Sequence, residues 1–91
     1  MRMLTRMLKY PLSITETTVI IMRAGSTIRA VDVQASRSIS LWAEVPGPGI
    51  RADIARTFRV IATGGDVPAA STYIGTVMDD PFVWHVYEVR S

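Results

Sequence analysis

Ile28-Arg29-Ala30-Val31-Asp32-Val33-Gln34-Ala35, then Ser36-Arg37-Ser38, then Ile39-Ser40-Leu41-Trp42-Ala43-Glu44-Val45: two alternating runs flank three turn-forming polar residues. Side chains on an extended chain point to opposite faces with a period of two. Val31, Val33 and Ala35 therefore share one face, with Ala30, Asp32 and Gln34 on the other. In the second run Ile39, Leu41, Ala43 and Val45 oppose Ser40, Trp42 and Glu44. Three residues suffice for a hairpin, so the stretch predicts two adjacent antiparallel strands, each burying one face. Pro46-Gly47-Pro48-Gly49 ends the second strand, because neither proline can donate to a ladder.

The same rhythm recurs outward from this pair. Residues 56–63 set Phe58, Val60 and Ala62 against Thr57, Arg59 and Ile61. Residues 72–78 and 82–90 join across Asp79-Asp80-Pro81, a tight turn with proline preset for its corner. Residues 18–23 are apolar on both faces, the mark of a central strand. The turn after them, Ala24-Gly25-Ser26-Thr27, relies on positive φ at Gly25. The start of the chain reads two ways. Met3, Leu4, Met7 and Leu8 fit a helical stripe, whereas Pro11 favours an edge strand; a strand over about residues 4–12 is preferred. Residues 50–55 admit one helical turn but read better as loop, and 64–71 form a second long loop. Ninety-one residues make one domain, residues 1–91. Six or seven short strands without a helix predict an all-β fold, a small antiparallel β-sandwich or barrel.

Composition narrows the function classes. The 48% apolar content furnishes a core for a domain that buries about 60–65% of its unfolded surface. With no cysteine, neither a disulfide framework nor a thiolate metal site is available. Residues 1–8 are interrupted by Arg2 and Arg6 and do not read as a secretory leader. The longest apolar run, residues 19–22, is far short of a bilayer span. A formal charge of +2 and a pI near 9.5 invite a nucleic-acid reading. The distribution argues against it. Arg2, Arg6 and Lys9 precede every acid, and beyond them seven basic and eight acidic residues nearly cancel. A nucleic-acid binder should show a basic stripe, so neither nucleic acid nor membrane is expected as a partner.

The candidate ligand-binding residues are Trp42, Arg59, Thr63, Gly64, Gly65, Trp84 and His85. Trp42 alternates with Ser40 and Glu44, so it falls on the solvated face; a large aromatic there marks a contact surface or packs against a loop. Phe82, Trp84 and Val86 oppose Val83, His85 and Tyr87, so the last strand is central or covered by a partner chain. His85 is the only histidine, and without cysteine or a second histidine it makes no zinc site. The bland reading is a partly buried imidazole hydrogen-bonded to a neighbour. Thr63-Gly64-Gly65-Asp66 offers successive amides as an anion nest, with Arg56 and Arg59 on the preceding strand adding charge; two glycines there also suit a plain bend. Asp79-Asp80 is turn chemistry before it is a cation site. No nucleophile–base pair, metal cluster or acidic dyad assembles from the spacing, so no enzyme, metal or cofactor is expected.

Seven strings, in order, also carry a resemblance: Lys9-Tyr10-Pro11-Leu12, Ala24-Gly25, Leu41-Trp42-Ala43, Arg56-Thr57-Phe58-Arg59, Ala62-Thr63-Gly64, Tyr73-Ile74-Gly75-Thr76-Val77 and Val83-Trp84-His85-Val86. Over residues 7–88 the chain resembles a family of small uncharacterised proteins of tailed bacteriophages and prophages. The family pattern has a histidine after Thr-Gly where this chain has Gly65, so any role of that histidine does not carry over. Relatives begin near Met7, which makes residues 1–6 an upstream extension. The resemblance implies origin and fold, and no activity. The resulting expectation is a non-enzymatic phage accessory protein in the host bacterial cytoplasm. It works as a homo-oligomer that sequesters a small anionic ligand such as a host defence nucleotide. A virion decoration protein and an inhibitor of a host protein are the alternatives.

Overall fold

A computed structural model describes residues 4–47, 49 and 51–90. Its strands are β1 (Thr5–Leu12), β2 (Thr18–Arg23), β3 (Thr27–Val33), β4 (Ile39–Pro46), β5 (Asp53–Ala62), β6 (Ser71–Asp79) and β7 (Phe82–Val89). They form two antiparallel sheets, β1-β4-β3 and β2-β5-β7-β6. The expected all-β fold is present, in a sandwich-like arrangement. Among the described residues no helix is long and apolar enough to cross a membrane.

The β3–β4 hairpin forms where the alternation placed it, with Val33 opposite Ile39 and Arg37 in the turn at φ 65°. A bulge between Ile28 and Ala30 shifts the phase, so Ile28 and Val31 both face the core. Ala35 leaves the strand and lies exposed in the turn, because β3 stops at Val33. At the start of the chain the strand reading prevails. β1 pairs with β4 from Thr5↔Pro46 to Leu12↔Ile39, and Thr5 and Arg6 belong to that ladder. Residues 1–3 of the proposed extension lie outside the described residues. Residues 51–55 take no helical turn, and Ile50 lies outside the described residues. Instead β5 begins at Asp53, because Ile54 and Ala55 pair with Met22 and Ile21 of β2.

β2 is apolar on both faces yet lies at the edge of its sheet, not at the centre. Ile20 and Met22 are buried, whereas Val19 and Ile21 are 58% and 61% exposed on the outer face.

The core lies between the sheets. Leu12, Ile39, Leu41 and Ala43 come from one; Ile20, Met22, Phe58, Val60, Val77 and Val86 come from the other. At one side β3 and β6 approach closely enough that a Cβ on Gly75 would stand 2.8 Å from Val31 Cγ2. Arg37 at the β3–β4 turn pairs with Asp79 at the end of β6, 3.5 Å apart. At the far end of the interior, Arg56 donates two 2.6 Å hydrogen bonds to the Glu88 carboxylate and one of 2.8 Å to the Ser26 carbonyl.

Both β5 and β6 run antiparallel to β7, so they are parallel to each other and their connection must cross β7. Residues 63–70 make that crossing as a strap on the outer face. Gly65 sits against the side chain of Ile61, which points outward beside His85 and is nonetheless buried. The strap is tied at its ends, from Gly65 N–H to the Ala62 carbonyl (2.9 Å) and from Arg90 N–H to the Ala70 carbonyl (2.9 Å).

Candidate functional site

The seven sequence candidates fall into three places. Trp42 is on the outer face of β4, in register with Lys9 and Ala30, and half-buried. Trp84 faces the interior, where it packs on the core, and its buried indole N–H has no hydrogen-bond partner. Arg59, Thr63, Gly64, Gly65 and His85 belong to the opposite outer face and its strap. Trp42 and His85 thus lie on outer faces of different sheets and cannot contact one small ligand together.

His85 is half-buried and held at both ring nitrogens. Nε2 lies 2.8 Å from Thr63 Oγ1 and Nδ1 lies 3.0 Å from Thr76 Oγ1, which continues to the Tyr73 hydroxyl. The neutral imidazole donates at one nitrogen and accepts at the other, and hydroxyls rotate to answer either tautomer. The chain of polar groups therefore links the strap, β7 and β6 with every ring position satisfied. Thr76 stands opposite His85 by register, and Tyr73 opposite Tyr87 with its ring edge-on at 5.6 Å.

Beside this network, at the end of the sheet, Ala62, Thr63, Pro81, Phe82, Val83 and Trp84 line an open groove of about 300 Å³. Asp80-Pro81, a cis peptide, is the whole β6–β7 connection, since Asp79 already pairs with Phe82. Phe82 is half exposed and stacks on Trp84, ring centres 5.5 Å apart and planes 23° from parallel. Offset stacking of this kind presents a flat apolar surface. Thr63 belongs to both features, as a wall of the groove and as a partner of His85.

The amide nest is only partly available. Gly64 has φ +91°, as a bend requires, but the Gly65 N–H is already given to the Ala62 carbonyl. Arg56 does not add charge there, because it faces the interior and is committed to Glu88. Arg59 points to the outer face and forms no ion pair among the described residues. Among those residues no three metal-ligating side chains converge. The hydroxyl–imidazole contact of Thr63 and His85 has the geometry of a nucleophile and base. Nδ1, however, meets the Thr76 hydroxyl, which carries no charge to stabilise an imidazolium.

Phe82, Pro81, Val83 and Thr76 do not stand out in the sequence as site residues. Thr76 was within reach: counting equal steps outward from the Asp80-Pro81 turn places it opposite His85. Phe82 gave no signal, because its exposure depends on where the hairpin ends relative to β5.

A second groove, of about 260 Å³, lies at the other end and is lined by Arg6, Arg23, Val45, Pro46 and Gly47.

No curated protein and no solved structure matches the chain. A family model described as a domain of unknown function, DUF7352, matches residues 3–91. That match spans nearly the whole polypeptide, and the chain belongs to the DUF7352 family.

Proposed function

We propose that the protein is a phage-encoded accessory binding domain that acts without catalysis in the host bacterial cytoplasm. It holds a small planar, anionic ligand of the nucleotide class in the Phe82–Trp84 groove, and it works as a homo-oligomer. The observation that carries this reading is Phe82, a half-exposed ring kept parallel to Trp84 at the mouth of an apolar groove. An exposed aromatic supported from behind costs free energy in water and suits stacking by a flat heterocycle, worth about 1–3 kcal/mol per base. Thr63, a wall of the same groove, supplies a hydroxyl at its rim, while His85 and Arg59 lie on the outer face of the sheet and do not line the groove. The phage assignment rests on the resemblance carried by the strings from Lys9-Tyr10-Pro11-Leu12 to Val83-Trp84-His85-Val86.

Isothermal titration against cyclic dinucleotides and ADP-ribose tests the proposal. Binding is expected, weakened at least about tenfold by Phe82→Ala with the fold unchanged by circular dichroism. Absence of heat with both ligand classes, or equal affinity of the Phe82→Ala variant, removes the groove from consideration.

A further inference from the structure

Four strands bound the two sheets, and three of them are guarded. β3 and β6 lie against each other, closed by Val31 on Gly75 and by Arg37 on Asp79. β1 carries Arg6, Lys9 and Pro11, the charges and proline with which natural edges refuse a further strand. β2 has no such device before its last residue, Arg23. Thr18-Val19-Ile20-Ile21-Met22 contains no charge, proline or glycine, and Val19 and Ile21 are more than half exposed.

We infer that two copies of the chain pair through β2, antiparallel across a two-fold axis at Ile20, joining their four-stranded sheets into one of eight strands. This rests on the homo-oligomer of the proposed function and assigns it a surface. A second copy fits for three reasons. A two-fold axis normal to the sheet keeps outer side chains outer: Val19 then meets the partner's Ile21, and Thr18 the partner's Met22. No like charges oppose one another in that register. Arg23 falls opposite the partner's Thr17 and next to the partner's Glu16, and Glu16 has no ion pair among the described residues. Finally, one unguarded edge per copy closes the assembly as a pair and cannot propagate into a fibre.

Sedimentation velocity of the full chain without ligand, from about 1 to 200 µM, tests the inference. A species of twice the 10.0 kDa chain mass is expected at the upper end. Val19→Lys should weaken the dimer at least about tenfold with unchanged circular dichroism. Val19→Lys combined with Ile21→Glu should restore it, because the register sets position 19 against position 21. A monomer at every concentration, a dimer indifferent to Val19→Lys, or failure of the double variant to recover would each overturn the pairing. Ligand binding is read separately by heat: a dimer that takes no nucleotide sinks only the groove, and a monomer that takes one sinks only the interface.

Discussion

A methyl group at position 75 would have to share space with Val31 Cγ2, 2.8 Å from the ideal Cβ. Interiors packed at crystal density have little slack for such an intrusion, and overpacking costs about 1–3 kcal/mol. Gly75→Ala should therefore lower stability by about that amount, measured by urea denaturation. Truncating the neighbour with Val31→Ala should make the combined loss smaller than the sum of the two single losses, a coupling that a double-mutant cycle reads directly. Additive losses would show that β6 shifts away from β3 freely. Single residues were legible where the cause was local. The turn requires positive φ at Gly25, which has φ +87°. Gly75 stood only as part of a string, because its need for space arises on a strand of the other sheet. The sequence offers Gly65 as an amide donor for a ligand, but a Cβ there would meet Ile61 Cγ2 at 2.9 Å. Its lack of a side chain lets the strap lie flat.

At the scale of elements, the Arg56–Glu88 pair fastens β5 to β7 from the inside, with both side chains about four-fifths buried. The Glu88 hydrogen bond raises the Arg56 guanidinium above its ordinary value, against the opposing effect of burial. Since the folded value is the higher one, this contribution is fully present below the ordinary arginine range and is lost only as pH rises beyond the elevated value. Glu88→Ala, which leaves a mostly buried cation without its partner, should cost about 2 kcal/mol. That deficit should be the same at about pH 6 and pH 9 in paired denaturation curves; a deficit that fades at the higher pH would contradict the assignment. Strand positions followed from alternation because period two is a property of the backbone itself. Neighbours did not follow. β2 shows apolar residues on both faces whether it is flanked by strands on both sides or on one. The first three residues of β5, Asp53-Ile54-Ala55, owe their extended form to β2 and have no alternating pattern of their own.

For the whole molecule, the decisive property is one core supplied by two sheets. Neither sheet has an apolar face that can be hidden without the other, so the chain should unfold as a single unit. The two tryptophans test this: Trp42 reports from the outer face of one sheet and Trp84 from the inner face of the other. In Trp42→Phe and Trp84→Phe variants, fluorescence of the remaining indole should share its urea midpoint with far-ultraviolet circular dichroism. A separated midpoint in either variant would mean that one sheet outlives the other. The same arrangement explains why the candidate site was only partly visible from sequence. Trp42, Trp84 and His85 each had the correct facing within a strand, yet which faces meet is decided by sheet order, and sheet order leaves no periodic trace. The strap over Ile61 carries a consequence for how such a protein diversifies. It hangs between two parallel strands by a few amides, so residues can be gained or lost there without slipping either ladder. A lineage can therefore resculpt the roof over its imidazole, and with it whatever visits that ledge, while the timbers beneath keep their joints.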